Sequence, residues 1–181
     1  MDKNVIGNIP VFIILFFAFS VIGWIYEVIL ALLYGWGFVN RGFLIGPYLP
    51  VYGFGALVLI ITLKPIMEKN LPIFGINAAP AVVFILIVII TSIIEYITGW
   101  AMEAIFDLRL WDYSSDWMNL NGYICPRTSI RFGIGGMFFL YVLKPFFIKI
   151  IGNIEPRIVR MTSYIIAAVM IADFVFALIR N

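Results

Sequence analysis

Three glutamates sit inside apolar runs of this chain, where a carboxylate is costly unless something uses it. Glu27 and Glu103 each close a Gly-Trp-x-x-Glu pattern, Gly23-Trp24-Ile25-Tyr26-Glu27 and Gly99-Trp100-Ala101-Met102-Glu103. Spacing of four puts glycine and glutamate on one helix face, and a glycine lets a second membrane helix approach closely. Helices crossing near Gly23 and Gly99 would bring the two carboxylates together. Glu95, eight residues before Glu103, lies roughly 80° around the same helix; Phe19 takes its place in the first pattern. An ionised group at mid-bilayer costs on the order of 3 kcal/mol, so carboxylates there point to a ligand, an ion or a proton. The plain alternative is a buried structural ion pair.

The partners offered for these acids are arginines. Arg41 opens Asn40-Arg41-Gly42-Phe43-Leu44-Ile45-Gly46-Pro47, and Arg127 and Arg131 stand four apart, one helical turn, near Asn121. Guanidinium binds carboxylate and phosphate through two parallel hydrogen bonds. The cluster therefore suits an anionic or zwitterionic ligand, or else neutralises the glutamates internally. Trp24, Trp100, Asn40 and Asn121 complete the candidate substrate-binding set. Asp173 is a further charge in an apolar run. Cys125, the only cysteine, reads as an apolar filler, since histidine is absent and cannot activate it. The missing histidine also excludes Ser–His–Asp and Cys–His catalysis and histidine-ligated haem. No cofactor and no metal site is expected, and no catalytic residue is assigned.

These residues need a scaffold, and the chain writes one twice. The Gly-Trp-x-x-Glu blocks are 76 apart. Gly42-Phe43-Leu44 and Gly122-Tyr123-Ile124, Gly53-Phe54-Gly55-Ala56 and Gly133-Ile134-Gly135-Gly136, and Leu63-Lys64-Pro65 and Leu143-Lys144-Pro145 are 80 apart. Five stretches approach the roughly 20 apolar residues of a spanning helix: Val11–Tyr34, Pro47–Leu63, Ala81–Phe106, Ile130–Lys149 and Ile158–Ile179. Spans two and four open on Gly- and Pro-rich sequence that reads as a broken or re-entrant entry. The two Lys-Pro pairs are expected to close them, and Pro80 to lie in the first turn of span three. The acidic, aromatic run Trp111–Trp117 suits a membrane interface, or a lid.

The fold class is thus all-α, a polytopic bundle of about five spans. One membrane domain over residues 1–181 comprises repeat units at 10–72 and 79–151, parallel because each has two spans, and a C-terminal helix at 157–179. The composition agrees: 64% hydrophobic, 12% charged and a formal net charge of +2 place the chain outside soluble domains and give nucleic-acid binding no support. The N-terminal apolar stretch reads as a retained span rather than a cleaved signal. Lys3, Lys64, Lys69, Lys144, Lys149, Arg157 and Arg160 fall on one side of the spans, against Arg41, Arg109, Arg127, Arg131 and Arg180. That bias predicts a cytoplasmic N-terminus and an external C-terminus in the cell membrane.

The blocks Gly-Trp-x-x-Glu, Asn-Arg-Gly-Phe-Leu-x-Gly-Pro-x-x-Pro-x-Tyr-Gly, Trp-Asp-Tyr-Ser and Asn-x-x-Gly-Tyr-Ile-Cys together resemble the putative ABC-transporter type IV family, CmpB-like membrane proteins, over about residues 15–145. The resemblance implies a multi-pass, permease-type protein; no Walker A pattern occurs, so ATP hydrolysis would fall to a separate ATPase subunit. The reading is a permease or substrate-binding membrane subunit for a small charged or zwitterionic solute, its Glu/Arg site between the repeats, in contact with the bilayer and with a second copy or a partner subunit. The alternatives are a membrane-embedded enzyme acting on a lipid or polyprenyl phosphate, and a non-catalytic scaffold.

Overall fold

Hydropathy dictates the architecture, because a chain this apolar can satisfy its backbone in lipid only by forming helices. A computed structural model describes residues 8–38, 40, 42–73 and 75–180; Lys3 and Arg41 lie outside them. Among the described residues, five helices are long and apolar enough to cross a membrane. These are α1 (Ile9–Leu33), α2 (Pro50–Met67), α3 (Ala79–Phe106), a composite fourth span and α6 (Pro156–Arg180). The fourth span joins α4 (Pro126–Phe138) to α5 (Lys144–Gly152) through a π-helical turn at Phe139–Leu143. A two-residue antiparallel ribbon, β1 (Pro72–Ile73) and β2 (Ile76–Asn77), links α2 to α3, with Gly75 at φ +79°. Asn77 Oδ1 accepts from the Ala79 backbone N–H at 3.1 Å, satisfying one free donor at the start of α3. Pro80 falls in the first turn of α3, as its missing N–H requires.

Neither Lys-Pro pair ends its helix. α2 runs on to Met67 with Pro65 inside, and Pro145 sits just inside α5. Proline cannot donate to the carbonyl four residues back and clashes with it. Before Pro145, the wider π turn takes up that defect. Pro65 lies so near the end of α2 that little ladder remains to be lost.

The chain forms two compact units, Met1–Leu57 with Lys144–Asn181, and Val58–Leu143. In the first, α1 packs on α6 and on the start of α2. Its inward stripe is Val11, Leu15, Phe19 and Gly23, residues four apart on one face. Gly53 of α2 seats directly on α1: a Cβ there would meet Ser20 Oγ and the Phe16 carbonyl oxygen. In the second unit α3 packs on α4 through Val83 and Ile87, with Gly133 against Phe84 and Val88. The opposite face of α3 carries Ile85, Ile89, Ile93 and Ile97, all exposed.

Candidate functional site

Each unit folds the stretch between its helices back along the first helix. In the second unit, Trp111 and Tyr123 close over Gly99, and Tyr113 Oη donates to Glu95 Oε1 at 3.0 Å. Farther down, Met118, Leu120 and Ile124 line a groove of about 380 Å³ with Val88, Ile89 and Ile93. The hydroxyls of Ser92 and Ser129 meet there at 2.8 Å. The start of α4 therefore lies beside the middle of α3, its Ser129 meeting Ser92 about 21 Å below that helix's end at 1.5 Å per residue. In the first unit the Leu49 N–H donates to the Ser20 carbonyl at 2.9 Å, so α2 likewise begins at mid-height of α1. The Gly- and Pro-rich entries are folded back, as their composition proposed.

Irregular backbone at such depth must satisfy itself, and the segment 107–125 does so. Tyr113 N–H donates to Gly122 O and Leu120 N–H to Ile124 O, both at 2.9 Å. Asn119 Oδ1 accepts from Gly122 N–H at 3.0 Å, and Trp111 Nε1 donates to Tyr123 O at 2.9 Å. Arg109 is the hub. Its guanidinium donates to Asp112 Oδ1 and Asn121 O, each at 3.1 Å, lies over the Tyr123 ring and pairs with Glu103 Oε2 at 3.5 Å. Asp112 also accepts from Ser114 Oγ at 2.6 Å and Ser114 N–H at 2.9 Å. Those Ser114 bonds, helped by Arg109, hold its carboxyl below the usual carboxylate range. Burial, and then a hydrogen bond to Glu103, push the Tyr123 phenol up.

The first unit assembles a different set. Glu27 Oε1 accepts from Tyr52 Oη at 2.5 Å, and the Tyr52 ring fills the space left by Gly23. Trp24 Nε1 donates to Asn40 Oδ1 at 2.7 Å, and Asn40 Nδ2 donates to Ile45 O at 3.2 Å. Asp173 of α6 accepts from Ile45 N–H at 3.2 Å, Gly46 N–H at 2.9 Å and Tyr48 Oη at 2.5 Å. This carboxylate thus fastens the folded-back entry to α6, over a core of Leu44, Tyr48 and Ala177.

The candidate residues are therefore distributed. Glu27, Trp24 and Asn40 belong to the first unit; Glu95, Glu103, Trp100, Asn121, Arg127 and Arg131 belong to the second. Glu95 is buried, at 6% exposure. Asn121 Nδ2 donates to Tyr96 Oη at 2.9 Å. Trp100 is exposed. Arg127, expected opposite a span glutamate, instead pairs with Asp116 of the folded-back segment at 2.9 Å, because that segment lies against the start of α4. Arg131 follows one turn later on an exposed position. Sequence reasoning missed Tyr52, Tyr113 and Arg109. Both tyrosines stand within the motif blocks, which is the signal that marks them.

The family described as Putative ABC-transporter type IV matches residues 14–178. The chain belongs to that family. No curated protein and no solved structure matches it significantly. A Putative ABC-transporter type IV protein with five helices long and apolar enough to span among its described residues is a multi-pass membrane protein in contact with lipid.

Proposed function

We propose that the protein is a permease, or the substrate-binding membrane subunit of one, for a small charged or zwitterionic solute. The supporting observation is a span-embedded carboxylate in each compact unit, Glu27 and Glu95, held by a tyrosine hydroxyl. A carboxylate kept inside an apolar span is costly and points to use. Glu27 and Glu95 are the candidates for the cationic end of the solute or for a proton; Glu103, expected as a third, pairs with Arg109. Arg41, Arg127 and Arg131 are the candidates for an anionic end, Arg127 by exchanging Asp116 for the ligand. Family membership supports a separate energising subunit, because this chain carries no Walker A pattern. A second copy is an alternative partner.

The test is uptake by proteoliposomes of radiolabelled choline, glycine betaine and phosphate, with chemical analysis of the solute and the lipid afterwards. Uptake of unaltered solute is the expected result. Altered lipid without uptake overturns the permease reading in favour of a lipid-acting enzyme. Failure of all three probes, with Glu27→Gln changing only the melting temperature, makes the protein a scaffold.

A further inference from the structure

The sequence pairs Glu27 with Glu103 through Gly-Trp-x-x-Glu, at an offset of 76, yet the packing of the two first helices runs in another register. The buried stripe of α1 contains Val11, Leu15, Phe19 and Ala31; that of α3 contains Ala79, Val83, Ile87 and Gly99. These four pairs lie 68 apart, but Val11 with Ile87, Phe19 with Glu95 and Gly23 with Gly99 are buried pairs 76 apart, so the stripe alone leaves the register open. The seats of the second helices decide it. Gly53 rests on Phe16 and Ser20, Gly133 on Phe84 and Val88. With α2 and α4 aligned at 80 through these glycines, α1 and α3 again align at 68. On that register Glu27 and Glu95 occupy the same position of the stripe. Glu103 lies two turns farther, on a stretch of α3 beyond the counterpart of Leu33, where α1 has ended.

The chemistry follows the packing register. Glu27 and Glu95 each accept from a tyrosine hydroxyl, Tyr52 of α2 in one unit and Tyr113 of the folded-back segment in the other. Glu103 also takes a hydrogen bond from the Tyr123 hydroxyl, but it is further paired with the guanidinium of Arg109, the hub of that segment. We infer that Glu27 and Glu95 are the matched intramembrane carboxylates of the two units and the groups that meet a cationic centre or a proton. Glu103 is a positioning residue that anchors segment 107–125. The assignment of ligand contact rests on the permease reading; the matching of the carboxylates does not.

Two measurements on the full chain in lipid nanodiscs and proteoliposomes separate these. Dicyclohexylcarbodiimide adds to carboxyl groups held in apolar surroundings: a carboxyl oxygen bonds to the carbodiimide carbon and the acyl group migrates to nitrogen, leaving a stable adduct. Peptide mass spectrometry should find adducts at Glu27 and Glu95, and at least tenfold less at Glu103 and the loop residues Glu68 and Glu155. An adduct at Glu103 without one at Glu95, or none at Glu95, overturns the assignment. Tryptic cleavage after Arg109 should quicken at least fivefold in Glu103→Gln and stay unchanged in Glu95→Gln; the reverse pattern also overturns it. In proteoliposomes, Glu27→Gln and Glu95→Gln should each lower choline uptake more than tenfold, with Glu103→Gln near wild type. If the wild-type protein does not take up choline, the assignment of a cationic ligand falls, while adduct and cleavage patterns still decide the matching.

Discussion

Tyr113 reaches back 18 residues along the chain to place its hydroxyl 3.0 Å from the Glu95 carboxylate, one face of α3 receiving a side chain from the segment that follows it. The bond ties an irregular stretch to a helix at a point where water is scarce. Removing only the hydroxyl leaves a buried acceptor short of a donor, at about 1–3 kcal/mol. Tyr113→Phe should therefore lower the melting temperature in detergent. Glu95→Gln, which keeps an acceptor oxygen, should melt closer to wild type. Equal losses in the two variants would show that the charge, rather than the hydrogen bond, holds the segment.

Asp173 carries the corresponding burden in the first unit, with three donors converging from Ile45, Gly46 and Tyr48. Asp173→Ala strands the part-buried donors of Gly46 and Tyr48, at about 1–3 kcal/mol for each, while the exposed Ile45 N–H adds little. Asp173→Asn retains one acceptor oxygen and should fall between. Thermal unfolding followed by tryptophan fluorescence ranks the three proteins; a melting temperature for Asp173→Ala within a degree of wild type would remove the latch.

Glycine spacing gives an internally controlled comparison. A Cβ on Gly53 would press on the Phe16 backbone carbonyl, which cannot swing aside, while a Cβ on Gly55 would meet nothing. Overpacking of this kind costs about 1–3 kcal/mol. Gly53→Ala should destabilise by that much, whereas Gly55→Ala should be neutral or slightly stabilising, because alanine favours helix. Urea or heat unfolding of the two variants side by side checks the ranking. A Gly53→Ala protein as stable as Gly55→Ala would argue against the close crossing of α1 and α2.

What could be read from residues alone follows from which forces are local. The five spans are legible because a run of apolar side chains needs no partner to declare itself. The Gly- and Pro-rich entries announced broken geometry, although not that Leu49 would return to Ser20. The Lys-Pro pairs misled, since a π turn ahead of Pro145 relieves a clash that sequence treats as terminal. Asp173 was visible as a misplaced charge, but its donors lie more than 120 residues away, beyond any local pattern. The match at Gly-Trp-x-x-Glu drew attention to Glu103, while the seats of Gly53 and Gly133, a tertiary property, single out Glu95.

The acid response of the 107–125 segment can be signed. Asp112 has its carboxyl held down chiefly by the Ser114 hydroxyl, then by the Ser114 N–H, with Arg109 adding to both. A folded-state value below the unfolded one contributes stability that is present above the unfolded pKa and lost as pH falls through the folded one. Cleavage after Arg109 by an acid-active protease, or quenching of Trp111 and Trp117 by acrylamide, should therefore rise as pH is lowered below about 4, the ordinary aspartate range. In Asp112→Asn that rise should be absent and the segment should be looser already at pH 7. A pH profile identical in the two proteins would assign the response to another group.

Lysine placement makes a prediction about topology that none of these contacts carries. Lys64, Lys69 and Lys149 stand at the ends of the second and fourth spans, Lys144 lies buried inside the fourth, and Arg157 and Arg160 open α6. Basic residues near span ends are retained on the cytoplasmic side. Five crossings then leave the C-terminus outside. A reporter active only in the cytoplasm should be silent when fused after Arg180 and active when inserted between Glu68 and Asn70; an export-dependent phosphatase should give the opposite readings. The intermediate position between Ser114 and Trp117 should behave like the C-terminus. Cytoplasmic signals from both the 68–70 site and the site after Arg180 would require that one of the three spans between them does not cross, and the folded-back entry of α4 would be the first place to look.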